Sequence, residues 1–97
     1  MRALIEESLA SSAALIDKME ALCAARSTEA ERAAHELKGL AGTVGAHQLG
    51  ALAKRGEELA RAEQWSELAA TVRGLREGHL RLAETVLALG DDIAWSE

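Results

Sequence analysis

His35 stands three residues before Lys38, with Gly39 directly after the lysine and Gly42 a further turn along. On a helical wheel, Ala30, Ala34, Leu37, Ala41 and Val44 fall within about 60° of one direction, and His35 lies about 160° from it. The imidazole therefore faces water. Gly39 and Gly42 lie on its side of the helix, so the ring is followed by a strip without side chains. Exposed glycines inside a helix cost about 1 kcal/mol each relative to alanine, and a merely solvated face has no use for them. Their placement implies that a partner's surface comes close to the backbone around His35. Lys38, at i+3, can set a positive charge beside a group attached to that ring.

The elements that must position this strip read as four helices. Leu4, Ile5, Leu9, Ser12, Leu15, Ile16, Met19, Leu22 and Cys23 recur at three- and four-residue steps over roughly residues 3–25. Thr28 three residues before Glu31 forms a capping-box pattern that starts the second helix, and Gly45 suits its end. Leu49, Leu52, Ala53, Gly56, Leu59 and Ala60 make a third stripe, and Ser66 is a candidate N-cap for the fourth. Leu68, Val72, Leu75, His79, Leu82, Val86 and Leu89 then alternate steps of four and three, a heptad seam stopped by Gly90-Asp91-Asp92. Four such stripes with joints of a few residues can be buried only against one another. The expected architecture is all-α, an antiparallel up-down four-helix bundle in which residues 1–97 form one domain and the last seven fray.

Composition narrows the function. Residues of the AVILMFWYC class make up 48% of the chain, yet Trp65 and Trp95 are its only aromatics and proline is absent, which favours an aliphatic helical core. Cys23 is the single cysteine, so neither an internal disulfide nor a CxxC metal site can form, and a reducing cytoplasmic setting fits. Apolar runs are too short for a membrane span or a secretory signal. A net charge of −5 argues against nucleic-acid and membrane partners, both of which need a dense basic footprint. Residues 32–61 depart from this balance, with five basic and three acidic side chains and a net of +2.

The run His35-Glu36-Leu37-Lys38-Gly39-Leu40-Ala41-Gly42-Thr43-Val44-Gly45, followed by Leu49 and Leu52, resembles the signature of histidine-containing phosphotransfer (HPt) domains of two-component phosphorelays. The resemblance covers about 30 residues in motif, and the four-helix reading extends it over the chain. It implies that His35 is the phosphoacceptor, that Lys38 steadies the phosphoryl group, and that Gly39 leaves room for the group and for a docking receiver domain. It also implies that Glu57, twenty-two residues after the histidine, hydrogen-bonds the imidazole. A carboxylate at Nδ1–H would fix the tautomer that leaves Nε2 free as nucleophile. Gly56 departs from the pattern, standing where the family usually carries an apolar side chain.

On this reading the chain is a cytoplasmic phosphoryl carrier and not an enzyme. Its partners would be response-regulator receiver domains and a histidine kinase or hybrid kinase, with Gly39, Gly42, Lys54 and Arg61 at the docking surface. It needs no cofactor of its own, because the receiver would bring Mg²⁺ in an acidic pocket that the basic hairpin complements. The rival is a structural or adaptor four-helix module in which His35 is incidental, and the bare strip beside His35 discriminates against it. His79 lies on the seam and reads as a near-core histidine, His47 as an exposed residue opening the third helix, and Cys23 as a small core hydrophobe. Enzyme motifs fail: Gly39 stands where HExxH needs its second histidine, and no Walker or nucleophile-elbow loop is present.

Overall fold

Small and branched apolar residues at helical spacing, broken by short polar joints, set the path of the chain. The computed structural model describes residues 2–43 and 46–93. They form α1 (Arg2–Ala24), α2 (Ala30–Thr43), α3 (His47–Arg61) and α4 (Trp65–Ile93). Each helix packs on its neighbours in sequence and α1 closes on α4, giving the expected four-helix bundle. Pairs across the hairpins run in opposite registers: Glu31 meets Arg61, His35 meets Glu57 and Ala41 meets Gly50. Cys23 meets Trp65, Glu20 meets Arg76 and Leu9 meets His79 in the same manner between α1 and α4.

Ile16, Met19, Leu37, Leu68 and Leu75 are the largest fully buried side chains. Around them α2 buries Ala30, Ala33, Ala34 and Ala41, and their small size lets α3 lie close against it. Gly56 of α3 is buried as well. A Cβ there would sit 3.0 Å from Met19 Cε and 3.6 Å from Leu68 Cδ1, so Met19 fills the space that an apolar side chain would otherwise take. His79 donates through Nε2 to the Leu9 carbonyl at 2.9 Å, and Cys23 is buried with its thiol 3.4 Å from the Trp65 carbonyl. Burial also pushes the Cys23 thiol pKa up, as befits a core hydrophobe.

Several helix ends differ from expectation. α4 passes through Gly90-Asp91-Asp92 to Ile93, because one glycine lowers helix propensity without removing a backbone donor. Of the seven residues expected to fray, 91–93 are thus helical and 94–97 lie outside the described residues. Ser66 is inside the first turn of α4, which starts at Trp65, with the Leu68 N–H bonded to the Gln64 carbonyl. At the entry to α2 the capping hydroxyl is that of Ser27, which accepts from the Glu29 N–H at 3.2 Å, in place of Thr28. Val44 and Gly45 lie outside the described residues, as do the side chains of Leu4, Ile5, Val86 and Leu89.

Two joints turn through non-glycine residues at positive φ, Arg26 at 54° and Glu63 at 58°. Each is followed by a residue whose N–H reaches back five positions, Ser27 to Leu22 and Gln64 to Leu59, both at 2.9 Å. This is the helix-ending motif in which glycine is ordinarily preferred. The left-handed conformation costs an L-residue about 1–2 kcal/mol, and glycine's greater freedom in the unfolded chain offsets about half of that gain. Glu63→Gly is therefore expected to stabilise the fold by about 0.5–1 kcal/mol and to raise Tm by about 2–8 °C. Thermal melts followed by circular dichroism would check this; a lowered Tm would mean that the Glu63 side chain contributes more than its backbone costs.

Candidate functional site

The α2–α3 hairpin carries the site, and its opposed register brings His35 and Glu57 face to face. The imidazole is 65% exposed, whereas the Glu57 side chain, set beside buried Gly56, is only 12% exposed. His35 Nδ1 lies 2.9 Å from Glu57 Oε2. An ionised carboxylate only accepts hydrogen bonds, so Nδ1 carries the proton and Nε2 the lone pair. The other carboxylate oxygen is used too: Lys38 Nζ donates to Glu57 Oε1 at 2.9 Å. Lys38 lies one turn after His35, so both side chains converge on a single acceptor across the groove.

Electrostatics keep that acceptor ionised. The Lys38 hydrogen bond is the largest influence and holds the Glu57 pKa below the usual carboxylate range; partial burial opposes it, and the His35 bond adds to the lowering. Arg61 approaches Glu57 Oε2 only to 3.8 Å, since its Nε and Nη2 are taken up by Glu31 at 2.7 Å. The sequence marked Glu31 as a capping residue of the second helix and did not mark it as the partner of Arg61. The signal was present, because in an antiparallel hairpin the residue four before His35 must meet the residue four after Glu57.

The strip beyond the ring is bare. Gly39 and Gly42 are exposed, and a Cβ built on either has no neighbour within 4 Å. Thr43 Oγ1 donates to the Gly39 carbonyl at 3.1 Å, which satisfies that carbonyl while leaving the surface beside His35 flat. Lys54 and His47 are exposed on α3, and Arg55 pairs with Glu67 at 3.7 Å. The expected docking residues therefore divide: Gly39, Gly42 and Lys54 lie open, and Arg61 belongs to an ion pair beside Glu57.

A model of the Hpt domain family matches residues 3–91. The chain belongs to the Hpt domain family. No curated protein and no solved structure matches it. Hpt domains are phosphocarrier modules, so the role of this one is phosphotransfer in two-component signalling, among receiver and kinase proteins. Among its described residues no helix is long and apolar enough to cross a membrane. Gly56 leaves Glu57 aimed at His35, because Met19 supplies bulk at that position from α1.

The lowered Glu57 pKa has a consequence for acid stability. The unfolded chain protonates this position near the ordinary glutamate value of about 4.3, and the folded Hpt domain does so only at lower pH. Stability from Glu57 is thus complete above that ordinary value and is lost as pH falls through the native one. Glu57→Gln is expected to lose stability less steeply on acidification across this window. Urea midpoints at stepped pH would show it, and identical slopes in the two proteins would remove Glu57 from the acid transition.

Proposed function

We propose that this Hpt domain is a phosphorelay intermediate in which His35 Nε2 takes a phosphoryl group from a receiver-domain aspartate, or from a histidine kinase or hybrid kinase, and passes it to another receiver aspartate. The observation that carries this reading is the Nδ1 bond to Glu57. A ring whose Nδ1–H is held by a carboxylate presents its lone pair at Nε2 in an exposed position. That lone pair attacks phosphorus as the bond from phosphorus to the aspartyl oxygen breaks, and the carboxylate leaves with the electron pair. Transfer of this kind depends on in-line positioning and on charge stabilisation more than on covalent help.

Mg²⁺ bound by the receiver would neutralise the phosphoryl oxygens from the partner's side, and Lys38 would do so from this side. Gly39 and Gly42 let the receiver's surface approach the α2 backbone, and Lys54 faces its acidic pocket. The protein would act in the cytoplasm as a stoichiometric carrier, with residues 1–97 as one unit. The test is incubation with a phosphorylated receiver domain and an excess of Mg²⁺. Transfer of a label that is acid-labile and base-stable to this chain is the expected result, and a chain that remains unlabelled would overturn the proposal.

A further inference from the structure

Glu57 holds two donors at once, and one of them changes charge during the transfer proposed above. Before transfer the ring is neutral, so the cation balancing the carboxylate is Lys38, 2.9 Å from Oε1, while the ring nitrogen donates to Oε2 at the same distance. Bond formation between Nε2 and phosphorus leaves both ring nitrogens substituted, because Nδ1 keeps its proton. The ring then carries a positive charge directly against Oε2. Glu57 is now balanced by the ring, and a dianionic phosphoryl group stands one helical turn from a lysine whose former partner no longer needs it.

We infer that Lys38 exchanges partners during transfer: it is the counter-ion of Glu57 while His35 is unmodified and of the phosphoryl group once His35 is phosphorylated, with the ring taking its place on the carboxylate. The inference rests on His35 being the acceptor. Lys38 is free to make the move, being 37% exposed on a flexible four-carbon stem. Arg61, the other cation near Glu57, is not: two of its nitrogens are pinned on Glu31 at 2.7 Å, and it stands 3.8 Å from Oε2. The exchange leaves each charged group with one partner of opposite sign before and after the reaction. It also gives Glu57 a share in setting how firmly the phosphoryl group is held, since a carboxylate that retained Lys38 would leave the group less stabilised.

The test is nitrogen and phosphorus NMR of the full chain with labelled lysine, before and after treatment with phosphoramidate. This small donor needs no partner protein: the bond from phosphorus to Nε2 forms as the bond to nitrogen breaks and ammonia leaves with that pair. In the unmodified protein the Lys38 ammonium, identified by its loss in Lys38→Gln, is expected as a resonance protected from exchange with water. On phosphorylation it should shift and acquire a coupling to phosphorus. In Glu57→Gln the unmodified protein should lose the protected resonance, and the phosphorylated one should regain it. Phosphohistidine on His35 with an unmoved, uncoupled Lys38 signal would overturn the exchange alone, as would a Glu57→Gln protein whose unmodified signal is unchanged. Absence of phosphohistidine at His35 would overturn the underlying reading, and the exchange with it.

Discussion

His35→Gln is expected to leave the four-helix bundle folded and to abolish phosphoryl uptake. The side chain is 65% exposed and its one hydrogen bond is to Glu57, which keeps Lys38 as a partner after the change. Glutamine is also a better helix former than histidine by a few tenths of a kcal/mol, so the stability change should stay within about 1 kcal/mol. The amide nitrogen that replaces the ring has no nucleophilic lone pair, and acceptance should therefore fall below detection. His47→Gln and His79→Gln set the control: His47 is exposed on α3, and His79 is bonded to the Leu9 carbonyl. Both should accept label within a few fold of the parent. Label retained on the His35 variant, or lost from either control, would mean that another histidine is the acceptor.

Gly39→Leu is expected to separate stability from transfer. A Cβ at Gly39 meets nothing within 4 Å, so no core atom has to move, and leucine favours the helix over glycine by roughly 0.8 kcal/mol. Thermal stability should be unchanged or raised. Transfer from a phosphorylated receiver should be lost, because the branched side chain occupies the surface along which the partner's backbone approaches His35. Uptake from phosphoramidate, which needs little room, should persist. A variant that still exchanges phosphoryl groups with a receiver at the parent rate would show that the bare strip does not serve docking.

Much of this was legible in the sequence, and the reasons are particular. Helical periodicity placed Ala30, Ala34, Leu37 and Ala41 in the core and His35 in water, and all five lie there. The motif from His35 to Gly45 pointed to the family before any contact was known. Helix ends were less legible. Ser27 and Thr28 are neighbouring hydroxyl residues, and which of them caps α2 depends on the exact backbone turn after Arg26. Gly90-Asp91-Asp92 looks like a stop, yet propensity is a weak constraint and the helix runs on. The Lys38 bond to Glu57 was the larger omission. Sequence chemistry assigned the lysine to a group that arrives only with phosphorylation, and an ammonium within reach of an ionised carboxylate on the facing helix takes the partner already present. The filling of Gly56 by Met19 was hidden for another reason: it joins α1 to α3, and no local spacing reports a contact between helices that are not neighbours in sequence.

The hydrogen bond from His35 to Glu57 joins helices of only 14 and 15 residues. Helices of that length are marginal in water on their own. Every residue of the site belongs to α2 and α3, but the underside of that hairpin is built by Met19 of α1 and Leu68 of α4, which press on Gly56 beside Glu57. A peptide spanning only the hairpin would contain the whole site by composition and none of it by geometry. The nucleophile proposed at His35 is thus a property of the assembled molecule. A chain that is nicked, truncated or half-folded would not simply relay signal poorly; it would present an ordinary histidine, and the signalling circuit would be spared a carrier that accepts phosphoryl groups without the shape to deliver them.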